Sequence, residues 1–151
     1  MISIIEYTSS HQPEFKRLNL EWLDKYNLTE PPDLEVLNDP TGTILDTGGA
    51  IFLAVHENEI VGSAALMKEH DDDYELAKMA VTESWQGKGI SNLLIQKCLS
   101  KAKDLGAKKI ILFSNSQLQT ALKLYTKYGF RHVDVTDSPF ATADVKMELN
   151  L

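Results

Sequence analysis

A turn with two glycines, Gln86-Gly87-Lys88-Gly89-Ile90-Ser91, connects a strand pattern to a long helix pattern and constrains how the chain folds. Glycine allows the backbone to turn tightly and lets a ligand approach without interference from a Cβ atom. The first N–H groups of a helix lack internal partners and attract anions. Lys88 adds a cation and Ser91 a hydroxyl donor, so the turn fits a pyrophosphate. On the glycines alone, a tight connection without any ligand is an equally good interpretation.

Strand and helix patterns alternate along the chain. Strand patterns cover residues 2–7, 51–56, 60–67, 74–81, 109–113, 130–135 and 143–149, and helix patterns cover residues 9–26, 34–37, 90–105 and 117–128. Ser9 or Ser10 is the expected cap of the first helix and Asp33 that of the second, and residues 41–49 are an expected loop. This order predicts an α/β (α+β) fold in one domain, residues 1–151, with a mixed sheet of about seven strands flanked by helices. Hairpins come early and a parallel strand–helix–strand unit comes later.

The composition excludes several classes of protein. The net charge of -7 argues against nonspecific binding to nucleic acid, which needs clustered lysine and arginine. No apolar run approaches the ~20 residues that span a bilayer, so no membrane association is expected. The N-terminus lacks the pattern of a signal peptide, which makes the cytoplasm the default location. The single cysteine, Cys98, excludes an internal disulfide and a cysteine-based metal site, and no metal is expected.

Residues 81–91 resemble the acetyl-CoA-binding signature of the GNAT superfamily of N-acetyltransferases. That signature is Q/R-x-x-G-x-G/A, and it lies at the start of the helix after the fourth strand. Gln86 occupies its first position and Gly89 its second. The third position holds Ser91, where the family usually has glycine or alanine.

A second signature lies downstream at a fitting distance. Asn115 follows the fifth strand pattern, and Tyr125 begins a Tyr-x-x-x-Gly-Phe sequence that ends with Gly129 and Phe130, as in similar enzymes. The resemblance is strong over residues 74–133 and is only topological before them. Two separated signatures in register are much more specific than either alone.

The resemblance implies a GNAT-like, mostly antiparallel sheet in which the fourth and fifth strands splay apart. It also implies acetyl-CoA as co-substrate, with the pantetheine arm in the gap between those strands and Asn115 facing the pantetheine amide. The backbone of the fourth strand would pair with that arm like an extra strand, and the turn would hold the pyrophosphate. The implied cofactor-binding residues are Met79, Ala80, Val81, Gln86, Gly87, Lys88, Gly89, Ile90, Ser91 and Asn115.

Two side chains are candidates for proton transfer. Tyr125 matches the position that in similar enzymes often protonates the departing CoA thiolate, although it also lies on an apolar helical stripe typical of the core. Glu75 begins the fourth strand, where some relatives carry a catalytic glutamate, and by alternation it shares a face with Ala77, Met79 and Val81. A solvated glutamate at the strand edge is the alternative for Glu75. Glu21 on the first helix is a weaker candidate base.

The resemblance and the residues together predict an N-acetyltransferase that moves the acetyl group of acetyl-CoA directly onto a primary amine of a small molecule, protein or peptide. The alternative is a regulatory domain that binds acyl-CoA without turnover. Four acidic residues in the first half, Glu21, Asp24, Glu30 and Asp33, suggest a cationic acceptor, although solvated helix faces explain them as well. Similar enzymes commonly form homodimers, and the sequence leaves the oligomeric state open.

Overall fold

Seven strands form one mixed sheet in the computed structural model, which describes residues 1–136 and 138–151. Their order across the sheet is β1-β2-β3-β4-β5-β7-β6. β4 and β5 are parallel, and the other neighbouring pairs are antiparallel, which confirms the expected mixed, mostly antiparallel sheet. The strands are β1 (Ser3–Glu6), β2 (Ala50–His56), β3 (Glu59–Lys68), β4 (Asp73–Val81), β5 (Lys109–Ser114), β6 (Arg131–Val133) and β7 (Val145–Asn150).

Helices flank the sheet, as expected. They are α1 (Gln12–Lys25), α2 (Pro31–Asn38), α3 (Ile90–Asp104) and α4 (Gln119–Lys127). Neither Ser9 nor Ser10 caps α1, because Ser9–His11 forms a separate 3-10 turn before it. α2 begins with a proline, whose missing N–H costs nothing at that position. Asp33 therefore lies inside the first turn of α2 and is not its cap.

Three other differences from the predicted boundaries have a clear structural cause. The expected loop at residues 41–49 contains a π-helical turn, Thr41–Leu45, because the fully buried side chain of Ile44 anchors the segment in the core. β7 begins two residues late, since the carboxylate of Asp144 accepts hydrogen bonds from the backbone and hydroxyl of Ser116. β6 is shorter than the predicted 130–135 because it pairs with β7 over three residues only.

Two hydrophobic clusters lie on opposite faces of the sheet. α3 and α4 contribute to one, which we call the α3 cluster, and α1 and α2 contribute to the other, the α1 cluster. Successive residues of β3 show the division, because Ala64 belongs to the α3 cluster and Ala65 to the α1 cluster. The sheet is thus covered on both faces at its centre, where β3 and β4 lie.

β4 and β5 part soon after they begin. In the described part of the chain they pair at three positions only, from Asp73 opposite Lys109 to Glu75 opposite Ile111. β4 then continues to Val81 without a partner on its β5 side. The splay that the resemblance implies is therefore confirmed, and it opens the centre of the sheet.

A bulge in β4 lies just beyond the point where the strands part. Ser63 of β3 is opposite Ala80, whereas Ala65 is opposite Ala77, so β4 holds one extra residue between them. That segment includes Lys78, whose φ of 53° is uncommon for any residue with a Cβ atom.

The bulge changes which side chains share a face. Tyr74 and Leu76 belong to the α3 cluster, so Glu75 between them faces the α1 side. Beyond the bulge, Met79 and Val81 pack against the α3 cluster instead. The prediction that Glu75 shares a face with Met79 and Val81 is therefore wrong, because simple alternation stops at Lys78.

Candidate active site

A cleft of about 460 Å³ lies where β4 and β5 part. Its walls come from both faces of the sheet, with α3 and α4 on one side and α1, α2 and the segment 138–142 on the other. Every candidate site residue named from the sequence lines this cleft except Lys88 and the weaker candidate Glu21. The splayed strands therefore bring the glycine turn, Asn115, Tyr125 and Glu75 to one continuous space.

The turn before α3 presents backbone donors without partners. Gly87 and Gly89 have φ values of 76° and 80°, which glycine adopts without strain, and Gly89 is the N-cap of α3. Among the described residues, no acceptor receives a hydrogen bond from the backbone N–H groups of residues 87–92. A Cβ atom at either glycine would meet nothing within 4 Å, so open space lies before the turn. These free donors at a helix N-terminus fit a diphosphate.

Side chains around the turn fix its position. The amide nitrogen Nε2 of Gln86 donates to the carbonyl oxygen of Val81 at 3.0 Å and ties the turn to the end of β4. The Trp85 ring packs 4.6 Å from the ring of His56, centre to centre, and the Nζ of Lys88 lies 5.8 Å from the centre of the Trp85 ring. Lys88 is exposed and does not line the cleft, so its charge lies beside the turn and outside the lining.

Asn115 connects two segments at the far wall of the cleft. Its Nδ2 donates to the carbonyl oxygen of Thr142 at 2.7 Å, and its Oδ1 accepts from the N–H of Gln117 at 2.9 Å. The first bond holds the segment 138–142 against the cleft, and the second positions the residues that precede α4. The contact with Thr142 was not predicted, because nothing near Asn115 in the sequence indicates it.

Tyr125 is both a core residue and a cleft residue. Its side chain is 9% exposed, and its ring packs edge-on against Phe130 at 6.1 Å between centres. Burial raises the pKa of the Tyr125 hydroxyl to about 12. The hydroxyl is therefore protonated at every physiological pH and is available as a hydrogen-bond donor.

Glu75 is buried at the floor of the cleft. It is 6% exposed, so the alternative of a solvated glutamate at the strand edge is wrong. Burial raises the pKa of Glu75 to about 8, and the hydrogen bond and charge of Glu69 add to the rise. Lys78 opposes this effect and Asp33 adds to it. A carboxyl that titrates near neutral pH in a cleft has the properties of a general acid or base.

A buried ion pair that sequence reasoning missed lies beside Glu75. The Nζ of Lys78 is 2.6 Å from Oδ1 of Asp33, and the two side chains are 6% and 5% exposed. The other oxygen of Asp33 accepts from the N–H of Glu30 at 2.9 Å, and the Nζ of Lys78 lies 5.4 Å from the centre of the Phe140 ring. The available signal was a lysine inside an otherwise apolar run, residues 76–81.

The backbone of the bulge is held by a second buried contact. The hydroxyl of Ser63 donates to the carbonyl oxygen of Lys78 at 2.7 Å, and Nδ2 of Asn19 lies 3.1 Å from that hydroxyl. Ser63 and Asn19 are fully buried. Contacts from α1, α2 and β3 thus stabilise the unusual backbone of Lys78 and direct the following residues of β4 into the cleft.

Two glutamates of the first half have structural contacts. Glu21 does not line the cleft, and its carboxylate accepts from the hydroxyl of Thr82 at 2.9 Å and the N–H of Glu83 at 3.0 Å. Glu30 accepts from the N–H groups of Ala141 and Thr142 at 2.8 and 3.0 Å. Partial burial opposes ionisation of Glu30, but these hydrogen bonds outweigh it and lower its pKa. Because Glu21 lies outside the cleft and its carboxylate is bound to Thr82 and Glu83, it is unsuited to the role of base.

Two other kinds of site are absent from the described part of the chain. No group of three or more His, Cys, Asp or Glu side chains there is arranged to hold a metal ion. None of the helices among these residues is long and apolar enough to cross a membrane. Cys98 is fully buried and lies outside the cleft.

The geometry of the cleft and the two signatures agree with a comparison against known families. Residues 10–130 match the acetyltransferase (GNAT) family. The chain belongs to this family. It is 35% identical over 105 residues to an uncharacterised N-acetyltransferase of Mycobacterium tuberculosis. The match covers 70% of this chain but only 63% of that relative, so it falls short of two thirds of the relative's length.

Solved structures of GNAT proteins share the whole fold. An acetyltransferase of Staphylococcus aureus superposes with a TM-score of 0.92 at 24% identity, covering 99% of each chain. A GNAT acetyltransferase of Elizabethkingia anophelis, solved with acetyl-CoA bound, superposes with a TM-score of 0.67 at 25% identity and covers 99% of this chain and 98% of its own. The resemblance inferred from residues 74–133 is thus confirmed, and it extends to the N-terminal half at the level of the fold.

Proposed function

We propose that this GNAT protein is an N-acetyltransferase that transfers the acetyl group of acetyl-CoA directly to a primary amine. The observation that carries the proposal is the single cleft that joins the unpaired donors of residues 87–92 to Glu75 and Tyr125. One end provides an anion site, and the middle provides one group able to accept a proton and one able to donate it. The relative solved with acetyl-CoA supports the same co-substrate for this chain.

The cofactor end holds the diphosphate and the pantetheine arm. The free N–H groups of residues 87–92 receive the diphosphate without assistance from a cluster of cations, which suits a chain with a net charge of -7. Beyond the bulge, the backbone at Met79, Ala80 and Val81 lies unpaired on the β5 side and is able to pair with the pantetheine amides. Asn115 lies on the opposite wall of the cleft.

The reaction is an acyl transfer from sulfur to nitrogen. The amine nitrogen attacks the thioester carbon, a C–N bond forms, and the C–S bond breaks to release CoA. Glu75, when ionised, accepts a proton from the amine, which is mostly protonated at neutral pH and otherwise unreactive. Tyr125 donates a proton to the departing sulfur, and its high pKa keeps that proton in place until the thiolate develops.

An assay of CoA release with a panel of primary amines tests the proposal. We expect release that depends on both acetyl-CoA and an amine, together with an N-acetylated product by mass spectrometry. Binding of acetyl-CoA by calorimetry without release from any amine would favour the alternative, a domain that binds acyl-CoA without turnover. The buried Glu75 within the cleft favours the enzyme, because a binding domain has no need to retain a buried ionisable group there.

A further inference from the structure

The acceptor end of the cleft has apolar walls. This end lies on the α1 side of the sheet, and its large side chains come from α1, the connection after it and the segment 138–142. They are Trp22, Tyr26, Leu28 and Phe140. Tyr26 is 36% exposed although it lines the cleft, so an aromatic surface faces the space that an acceptor must enter.

The acidic residues that suggest a cationic acceptor are all engaged within the protein. Glu21 accepts hydrogen bonds from Thr82 and Glu83, and Asp24 accepts one from the hydroxyl of Thr29.

The other two acidic residues are held on the α2 side of the cleft. Glu30 accepts from Ala141 and Thr142, and both oxygens of Asp33 are used, one by Lys78 and one by the N–H of Glu30. Among the described residues that line the cleft, the carboxyl groups belong to Asp33 and Glu75. Asp33 is paired with Lys78, and Glu75, which is hydrogen-bonded to Glu69, is required by the proposed reaction for the amine that is acetylated.

The cleft lining is equally poor in free positive charge. Lys78 is its one basic residue in the described part of the chain. The ammonium group of Lys78 is paired with Asp33 and covered by the ring of Phe140. A carboxylate on the acceptor would therefore lack a cation, just as a second ammonium would lack a carboxylate.

From these contacts we infer that the acceptor is a small primary amine on an apolar, aromatic or aliphatic body, with no second charged group. The inference rests on the proposed function and specifies its substrate. Its physical basis is desolvation, because a second charge brought against these walls would lose its water without gaining a partner. An apolar body would instead gain from burial against Trp22, Tyr26 and Phe140.

Matched acceptors test the inference. Pentylamine and 1,4-diaminobutane have the same chain length and differ by one ammonium group, and 2-phenylethylamine and phenylalanine differ by one carboxylate. With rates expressed per concentration of free amine, we expect kcat/KM to be roughly tenfold or more higher for the member of each pair that lacks the second charged group. Equal values, or a preference for 1,4-diaminobutane or phenylalanine, would overturn the inference.

A pair of variants tests the wall itself. Tyr26→Ala removes an aromatic side chain that lines the cleft and is 36% exposed. Leu34→Ala removes a side chain of similar exposure, 38%, that does not line the cleft. We expect Tyr26→Ala to raise KM for 2-phenylethylamine by about threefold or more, with the Kd of acetyl-CoA unchanged. Leu34→Ala should leave both constants unchanged, and identical effects of the two variants would contradict the assignment.

Failure of the inference is distinguishable from failure of the proposed function. Faster acetylation of a lysine peptide than of 2-phenylethylamine would overturn the inference and support the transferase. If no amine releases CoA, calorimetry with the CoA-bound protein still decides the point. Tighter binding of pentylamine than of 1,4-diaminobutane would support the apolar site, and the reverse order would reject it.

Discussion

The two ends of the cleft are built from different kinds of structure. The diphosphate part of the cofactor end depends on one continuous segment, residues 87–92, whose backbone N–H groups have no acceptor among the described residues. The acceptor end depends on side chains from α1, α2, β4 and the segment 138–142, which are far apart in the chain. A backbone site requires glycine and a helix start, whereas a side-chain site tolerates many residue types as long as its walls keep their shape.

This difference predicts how the two ends respond to substitution. Changes in the turn should alter acetyl-CoA affinity, since in the proposed function the turn binds the co-substrate and not the acceptor. Changes on the α1 side should alter the acceptor constants and leave acetyl-CoA binding intact. The residues between the two ends, Glu75 and Tyr125, should affect turnover more than either affinity.

Replacing Glu75 should have the largest effect. Glu75→Gln removes the proposed base with little change in volume, so we expect kcat to fall by roughly 100-fold or more. In the unmodified enzyme the rate should rise with pH through about 8, because the carboxyl must lose its proton before it can accept one from the amine. The variant should lose the rise that is due to Glu75 and keep only the pH dependence that comes from deprotonation of the amine. An unaltered pH–rate profile would remove Glu75 from the mechanism.

Burial of Glu75 is testable without turnover. The folded protein holds the Glu75 proton more tightly than the unfolded chain, because the pKa rises from 4.5 to about 8 on folding. The contribution of this group to stability is therefore full below about pH 4.5 and declines as the pH rises to about 8. Denaturant unfolding at several pH values should show this decline, and it should be weaker in Glu75→Gln.

Replacing Tyr125 should have the next largest effect. Tyr125→Phe keeps the ring that packs against Phe130 and removes only the hydroxyl, so the fold and the Kd of acetyl-CoA should be unchanged. We expect kcat to fall by about 10- to 100-fold, since the departing thiolate loses its proton donor. Acceptors and acyl groups that make sulfur departure easier should be affected less. A kcat equal to that of the unmodified enzyme across the pH range would show that Tyr125 is not the proton donor and has a purely structural role.

The cofactor end could be predicted from sequence because its information is local. Two glycines and a helix start occupy six consecutive positions, and Asn115 and Tyr125 lie at a fixed spacing beyond them. The order of the strands along the chain and the splay were also predictable, since the strand patterns and the resemblance indicate both. The insertion of β7 between β5 and β6 was not, because a three-residue edge strand carries too little pattern.

The acceptor end could not be predicted because its contacts are long-range. Nothing in the sequence around Asp33 indicates that Lys78 lies 2.6 Å away, and the bulge that turns Lys78 inward breaks the alternation on which strand prediction relies. The same bulge is the reason why the predicted sheet face of Met79 and Val81 was wrong. The one sequence feature that indicated an unusual site in β4 was Lys78, a charged residue inside an apolar strand pattern.

Two glycines of the same helix offer a controlled test of the cofactor end. Gly89 begins α3 and Gly106 follows its C-terminus, both have φ near 80°, and neither would place a Cβ atom within 4 Å of another atom. Alanine at either position should cost about 1 kcal/mol of stability, because both are left-handed. Only Gly89→Ala places a methyl group before the free N–H groups, so it alone should weaken acetyl-CoA binding, by roughly tenfold. Equal Kd values for the two variants would argue against a diphosphate site at this turn.

The smallest effect is expected at Glu30, which fixes the segment 138–142 to α2. Glu30→Gln keeps the side-chain length but weakens the bonds from Ala141 and Thr142, because a neutral amide oxygen is a poorer acceptor than a carboxylate. The nearby Phe140 should then be held less firmly over the cleft, and we expect KM for the acceptor to rise by about two- to fivefold with the Kd of acetyl-CoA unchanged. Glu35→Gln, on an exposed position of the same helix, serves as the control. A change in acetyl-CoA affinity in Glu30→Gln would show that the two ends of the cleft are coupled, and would break the separation between a backbone site and a side-chain site.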